Sequence, residues 1–125
     1  MSRSARAALG TAGEALVADH LRRQGFTIVG ENVRVGRLEL DLVAVRDGLL
    51  VFCEVRTRTS ADFVDPIETI DGPKRARIRR AAAGWLAAGG APPHTEVRFD
   101  AASVLIAPLI APHAAPTLTY YEDAF

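Results

Sequence analysis

Apolar and polar residues alternate most regularly between residues 37 and 58, and this pattern predicts a β-hairpin. The dipeptide Asp47-Gly48 separates two apolar runs of strand length. A two-residue type I′ turn needs positive φ at both central positions, and Asp-Gly is one of the dipeptides that supplies it. Counting outward from this turn pairs Val43 with Phe52.

The same register brings acidic residues together. Asp41 is predicted to lie opposite Glu54, and Glu39 opposite Arg56. Two unit charges about 5 Å apart at an effective dielectric near 20 repel by roughly 3 kcal/mol. A divalent cation such as Mg²⁺, a proton on one carboxyl group, a different register or a solvated strand end would each relieve this repulsion. The alternation also predicts one shared face for Glu39, Asp41, Val43, Val45, Leu50, Phe52, Glu54 and Arg56.

A first helix is predicted from Thr11 to Gln24, because an apolar stripe recurs at helical spacing and Gly25 suits a helix end. Residues 1–9 are rich in Ser, Arg and Ala and are expected to be disordered. Glu14 falls within the apolar stripe. A carboxylate there either has a partner at a functional site or complements the helix dipole at the edge of the core.

A second helix is predicted from Pro73 to Ala88, since Asp71-Gly72-Pro73 is a helix-start signal and Gly89-Gly90 a stop. Lys74 falls at the edge of its inner apolar stripe, one helical turn before Ile78. Five of the seven residues from 74 to 80 are basic. The run is either a patch that binds nucleic-acid phosphates or a solvated helix face. Its arginines are Arg75, Arg77, Arg79 and Arg80, with Arg77 and Arg80 pointing away from the stripe.

The remaining chain predicts three further strands and two connections. The strands are Phe26–Val35, interrupted at Gly30–Asn32, then Val97–Ile106 and Leu118–Tyr121. Residues 59–71 are expected to form a loop with a short turn near its end, and residues 108–117 a Pro/Ala linker. The whole is expected to be a single α/β domain spanning residues 1–125.

Composition narrows the function classes only slightly. The chain has 15 basic and 15 acidic residues, so its net charge argues neither for nor against a nucleic-acid partner. The single cysteine, Cys53, excludes an internal disulfide and is expected to be a small core residue. No apolar run reaches 18 residues and no signal peptide begins the chain, so we expect a cytoplasmic protein without a membrane partner.

The chain resembles the YraN-like family of small bacterial proteins, which are related to Holliday junction resolvases and have a PD-(D/E)xK nuclease-like fold. The matching stretches are GTAGEALVADHLRRQGF, ENVRVGRLELDLVAV, LVFCEVRTR, DPIETIDGPKRARIRRAAAGWL and VRFDAASV. The resemblance implies a restriction-endonuclease-like core of order αβββαβ, with a mixed central sheet flanked by helices. The residues that carry the resemblance are an acidic residue on the first helix, an Asp on one strand of the hairpin and a Glu-x-basic sequence on the other strand.

What the resemblance implies for function is metal-dependent phosphodiester hydrolysis. Asp41 and Glu54 would bind Mg²⁺ or Mn²⁺, and Glu14 would serve as a third ligand or orient a water. Glu39 would orient Arg56. The expected partner is nucleic acid, foremost DNA and including branched DNA, and a resolvase-like role would favour a homodimer.

One residue departs from the nuclease pattern. The basic position of the motif is normally Lys, but here it is Arg56, which stays protonated and can clamp phosphate without accepting a proton. Lys74 is the candidate for a migrated lysine. The alternatives are a module that binds nucleic acid without cutting it, or a protein-interaction domain on a degenerate nuclease scaffold.

Overall fold

The computed structural model describes residues 2–59, 70–106 and 115–125. The predicted α/β class and the order αβββαβ are confirmed, with a fifth strand at the end of the chain. The predicted turn within residues 59–71 and most of the 108–117 linker lie outside the described residues. The elements are α1 (Arg3–Arg23), β1 (Thr27–Val35), β2 (Leu38–Arg46), β3 (Leu49–Arg58), α2 (Gly72–Ala87), β4 (Glu96–Leu105) and β5 (Thr117–Tyr121).

The five strands form one mixed sheet in the order β1-β2-β3-β4-β5. The central pair β3–β4 is parallel and the other pairs are antiparallel. A parallel pair needs a crossover, and α2 lies in the segment that connects these two strands. The helices cover opposite faces: α1 packs with Val51, Cys53 and Val55, whereas α2 packs with Leu50 and Phe52.

The hairpin turn is confirmed. Asp47 has φ of 49° and Gly48 φ of 80°, as a type I′ turn requires. Val43 pairs with Phe52 as predicted. Backbone pairing of β2 with β3 ends at Leu42–Cys53, so the expected ladder pairs Asp41–Glu54 and Glu39–Arg56 do not form.

The regular alternation of β2 side chains between the two faces of the sheet is broken where this pairing ends. Leu40 and Val43 both belong to the core on the α2 face, while Leu42 belongs to the core on the α1 face. The predicted single face for Glu39, Asp41, Val43 and Val45 is therefore wrong. The physical reason is local: the carboxylate Oδ2 of Asp41 accepts the backbone N–H of Val55 at 2.9 Å, where a ladder bond would otherwise form.

The first helix begins earlier than predicted, and residues 3–9, which were expected to be disordered, belong to it. Helix α1 starts at Arg3, capped by Ser2, whose hydroxyl oxygen accepts the N–H of Ala5 at 3.1 Å. Ala is the strongest helix former, and a Ser N-cap satisfies one of the free N–H groups of the first turn. Gly25, at φ of 89°, ends the helix as expected.

The other strand and helix bounds agree with the sequence to within one or two residues. The interruption predicted at Gly30–Asn32 is present as an irregularity inside a continuous β1. The register shifts between Ile28 and Gly30, and Asn32 has φ of 50°. Within the described residues, no helix is long and apolar enough to span a membrane.

A buried carboxylate ties the last strand to the sheet. Asp100 on β4 is fully buried and receives two bonds of 2.8 Å from the Arg98 guanidinium. The Tyr120 hydroxyl and the backbone N–H of Asp123 also donate to it. Because every polar group in this cluster finds a partner, the network fixes β5 and the chain after it to β4.

Candidate active site

One cavity of about 420 Å³ brings the predicted site residues together. Its wall is formed by α1, by the start of β2, by the end of β3 and by the first turns of α2. All five residues predicted to be catalytic line it, together with two more of the predicted set. They are Glu14, Glu39, Asp41, Glu54, Arg56, Lys74 and Arg77.

Glu54 forms the buried floor of this cavity. Its side chain is only 4% exposed, and its Oε1 lies 3.3 Å from Lys74 Nζ and 3.5 Å from an Arg56 guanidinium nitrogen. Burial raises the pKa of Glu54 to about 7, helped by the charge of Asp41 and by a hydrogen bond to it, while Lys74 and Arg56 oppose the rise. Glu54 is thus a carboxyl group that changes charge near neutral pH.

Asp41 sits where β2 separates from β3. Its carboxylate accepts the N–H of Val55 and shares a hydrogen bond with Glu54. Two carboxyl groups can share such a bond only when one carries a proton. The side-chain proximity predicted for Asp41 and Glu54 therefore exists, although the backbone pairing used to predict it does not.

Glu14 reaches the cavity because α1 approaches β3 very closely. A Cβ built on Gly13 would lie 1.8 Å from Thr57 Oγ1, so only glycine permits this approach. The pKa of Glu14 is raised by burial, with smaller contributions from Asp41, Glu39 and Glu31, and is lowered in part by a hydrogen bond to Asn32. Asn32 was not among the predicted site residues.

Lys74 is held at the site by the start of α2. Asp71 caps the helix, and its carboxylate accepts the backbone N–H of Lys74 at 3.0 Å. The side chain then reaches Glu54, which agrees with the position expected from helical phase. Arg56 contacts Glu54 rather than the predicted Glu39, and its buried Nε has no hydrogen-bond partner among the described residues.

The carboxylates form a pair rather than a triad. Within the described ranges, no three His, Cys, Asp or Glu side chains come close enough together to hold a metal ion. Asp41 and Glu54 suit an ion that takes one or two carboxylates and fills its other positions with water and phosphate, as Mg²⁺ does. Glu14 lines the same cavity but does not join these two in a group of three such side chains.

The four arginines predicted to bind nucleic acid have different surroundings. Arg75 donates to the Ile70 carbonyl at 2.8 Å, and Arg79 stacks on Phe99 at 4.5 Å. Both therefore hold α2 in place. Arg77 is exposed and lines the cavity, whereas Arg80 is exposed and does not.

Comparison with known proteins finds one matching protein family and similar proteins from bacteria. Residues 13–104 match the model of "Uncharacterised protein family UPF0102". A UPF0102 protein of Acidothermus cellulolyticus is 42% identical over 98% of this chain and 96% of its own length. One from Sorangium cellulosum is 49% identical over 83% of this chain and 74% of its own. The chain belongs to the UPF0102 family. The YraN-like family named from the sequence is this one, so that prediction is confirmed.

The UPF0102 match and the cavity coincide along the chain. The matched segment begins one residue before Glu14 and extends beyond Lys74, so it contains every residue predicted to be catalytic. Arg37 is the charged lining residue that the sequence reasoning missed. It lies in the two-residue turn between β1 and β2, at the first position of the alternating stretch, so only its charge could have drawn attention to it.

Proposed function

We propose that this UPF0102 protein processes nucleic acid by divalent-metal-dependent hydrolysis of phosphodiester bonds. The observation that carries the proposal is the shared cavity of Asp41, Glu54, Arg56 and Lys74. Two carboxyl groups lie close together at its floor, and two cationic side chains lie beside them. A cation that neutralises the pair and cationic groups that receive a phosphate are the parts such a reaction needs.

Asp41 and Glu54 are the residues proposed to hold Mg²⁺ or Mn²⁺. The fit rests on their proximity and on the raised pKa of Glu54, which reflects first its burial and then the charge of Asp41, with Lys74 and Arg56 opposing the rise. A bound ion would lower the pKa of a water and stabilise negative charge on the phosphate. Arg56 and Lys74 would receive the phosphate oxygens, and Glu14 would orient water from the α1 side.

The geometry also supports one alternative, a nucleic-acid-binding module that does not cut. Both Lys74 and Arg56 already pair with Glu54, so the carboxylate has cationic partners without a metal. Arg56 cannot accept a proton. In this alternative Lys74 and Arg56 hold the backbone of the nucleic acid, and binding needs no divalent ion.

A cleavage assay distinguishes the hydrolase from the binding module. The purified protein is incubated with branched, single-stranded and duplex DNA and with RNA, in Mg²⁺ or Mn²⁺. We expect metal-dependent cleavage that Asp41→Asn lowers by at least about 100-fold, as loss of a key catalytic interaction typically does. Glu96→Gln changes an exposed acidic residue on β4 that does not line the cavity; this variant is the matched control and should cleave normally.

The same variants have a readout that does not need turnover. Because a ligand that binds only the folded state raises its stability, Mg²⁺ or Mn²⁺ should raise the melting temperature of the wild type and of Glu96→Gln. The metal ion should leave the melting temperature of Asp41→Asn unchanged. Cleavage that survives in Asp41→Asn, or absence of both cleavage and metal stabilisation in the wild type, would overturn the hydrolase proposal. Absence of both, together with binding of nucleic acid in EDTA, would favour the binding module.

A further inference from the structure

A residue with left-handed backbone stands inside strand β1. In the part of the chain that the structure describes, the non-glycine residues with positive φ are Asn32 at 50°, Asp47 at 49° and Asp123 at 50°. Asp47 belongs to the hairpin turn and Asp123 to the turn after β5, whereas Asn32 lies within a strand. Asparagine tolerates this conformation better than most residues, and such strained positions cluster at functional sites.

The strand register places Asn32 opposite Asp41 of β2. The antiparallel pairs on either side of this position are Glu31–Leu42 and Val33–Leu40. Asp41 is also the residue at which β2 departs from regular alternation, because its carboxylate takes the N–H of Val55. The irregular residue of β1 therefore lies beside the irregular residue of β2, at the edge of the candidate active site.

The alternation of β1 is broken at the same place. A Cβ built on Gly30 would lie 2.7 Å from the side chain of Val33 and 3.4 Å from that of Val43, and both valines pack in the core on the α2 face. Positions 30 and 33 thus face the same side of the sheet. Residues three apart in a regular strand face opposite sides, so the left-handed backbone of Asn32 absorbs the break.

The side chain of Asn32 forms a hydrogen bond with Glu14 of α1. This bond lowers the pKa of Glu14, which is the effect of a donor to the charged carboxylate, so Asn32 donates its amide N–H. Burial acts in the opposite direction and raises the pKa of Glu14, as do the charges of Asp41, Glu39 and Glu31. These three carboxylates repel Glu14, and Asn32 supplies an attractive contact that opposes the repulsion.

We propose that Asn32 is a positioning residue that holds the Glu14 carboxylate in the cavity beside Asp41. Asn32 is not one of the residues that line the cavity, so it acts through Glu14. This inference rests on the proposed function, because it names the residue that supports the water-orienting role given there to Glu14. A glutamate side chain has several rotatable bonds, and a catalytic group contributes most when its geometry is fixed before the reaction.

A set of variants in EDTA at pH 8 tests the contact without turnover. Asn32→Asp keeps the size of the side chain, but its carboxylate cannot donate a hydrogen bond and repels Glu14, so the urea midpoint of unfolding should fall. Glu14→Gln then supplies an amide donor to the new carboxylate. This second change should raise the midpoint more in the Asn32→Asp background than in the wild type.

Glu39→Gln is the matched control for that measurement, because it removes another carboxylate from the same cavity. Its effect on the midpoint should differ much less between the two backgrounds. A general relief of negative charge would instead make the two Glu→Gln changes behave alike.

The cleavage assay separates the side chain of Asn32 from its backbone. Glycine adopts positive φ readily, so Asn32→Gly keeps the left-handed conformation and removes only the side chain. The kcat should fall at least about tenfold with KM nearly unchanged, the loss typical for a residue that orients a functional group. In a Glu14→Gln background the same change should lower kcat no further, because residues that act as a unit are not additive.

Asp47→Gly provides the control for this assay. It makes the corresponding change at another left-handed residue, one that does not line the cavity, and should keep the wild-type kcat.

Two results would overturn the inference. One is an equal change of midpoint when Glu14→Gln is added to the wild type and to Asn32→Asp, which would mean that the two side chains do not interact. The other is a wild-type kcat in Asn32→Gly, which would mean that only the backbone of residue 32 matters. Failure of the proposed function has a different signature, since the wild type would then cut nothing in Mg²⁺ or Mn²⁺ while the midpoints in EDTA still show the contact.

Discussion

At the scale of single residues, Glu54 decides how the candidate site behaves. A buried acid usually has either a cationic partner or a proton, and Glu54 has access to both. Lys74 and Arg56 favour its charged form, while burial and Asp41 favour its neutral form and prevail. The balance makes the site sensitive to any added positive charge.

The raised pKa of Glu54 has a consequence for stability in metal-free buffer. A carboxyl group that holds its proton more tightly in the folded state stabilises the fold most at low pH and loses that contribution as pH rises through its folded pKa. The window runs from the ordinary value of 4.5 to about 7. Relative to Glu54→Gln, the wild type should therefore lose on the order of 2 kcal/mol of unfolding free energy between pH 5 and pH 8.

Urea denaturation in EDTA at pH 5, 6, 7 and 8 measures this difference. Glu39→Gln provides the control, because Glu39 lines the same cavity but is exposed. Its difference from the wild type should not vary with pH in this manner. A wild-type curve that runs parallel to that of Glu54→Gln would show that the buried carboxyl group does not hold its proton.

At the scale of elements, the sequence predicted what depends on local chemistry. The Asp47-Gly48 turn and the Asp71 cap were predictable, because each is determined by one or two residue types. The phase change at Asp41 was not, since it arises when a side chain replaces a backbone ladder bond. The early start of α1 was missed because a polar, Arg-rich segment was given more weight than Ala content and a Ser cap.

The contact between α1 and β3 yields a prediction at this scale. Gly13→Ala places a methyl group against Thr57, and overpacking of this kind should lower the free energy of unfolding by about 1–3 kcal/mol. Gly10→Ala, in the same helix, meets nothing within 4 Å and should instead stabilise by up to about 1 kcal/mol, because alanine favours helix.

Thermal or urea unfolding of both variants measures the two changes in unfolding free energy, which should have opposite signs. Thr57→Ala added to Gly13→Ala removes the closest atom, Oγ1, and should restore part of the loss. If Gly13→Ala were as stable as Gly10→Ala, the close approach that brings Glu14 to the cavity would not exist in solution.

At the scale of the whole molecule, the sheet order explains how distant segments meet at one site. The acids of the hairpin were predictable as neighbours, and helical phase pointed Glu14 and Lys74 inward. Arg37 could not be placed, because its position depends on how the β1–β2 turn faces α2. Sequence patterns also could not predict that Asp100 is the centre of a buried hydrogen-bond network, since its partners come from residues 98, 120 and 123.

The Asp100 network carries a prediction for global stability. Asp100→Asn removes the charge that pairs with Arg98 and should cost about 3 kcal/mol, as breaking a buried ion pair does. Asp19→Asn breaks the exposed pair with Arg23 and should cost less than about 0.5 kcal/mol. Denaturant unfolding compares the two, and similar small losses in both would mean that the buried network does not anchor β5.

The irregularity of β1 bears on whether other extended chains can pair with this edge of the sheet. β1 is an outer strand of the sheet, and a straight outer strand offers free N–H and C=O groups to any other extended chain. The register shift after Ile28 and the left-handed residue Asn32 interrupt that row of groups. The same kinks also place Asn32 beside Glu14, so a strand regularised by Asn32→Val would lose a site contact and gain a tendency to form intermolecular sheets.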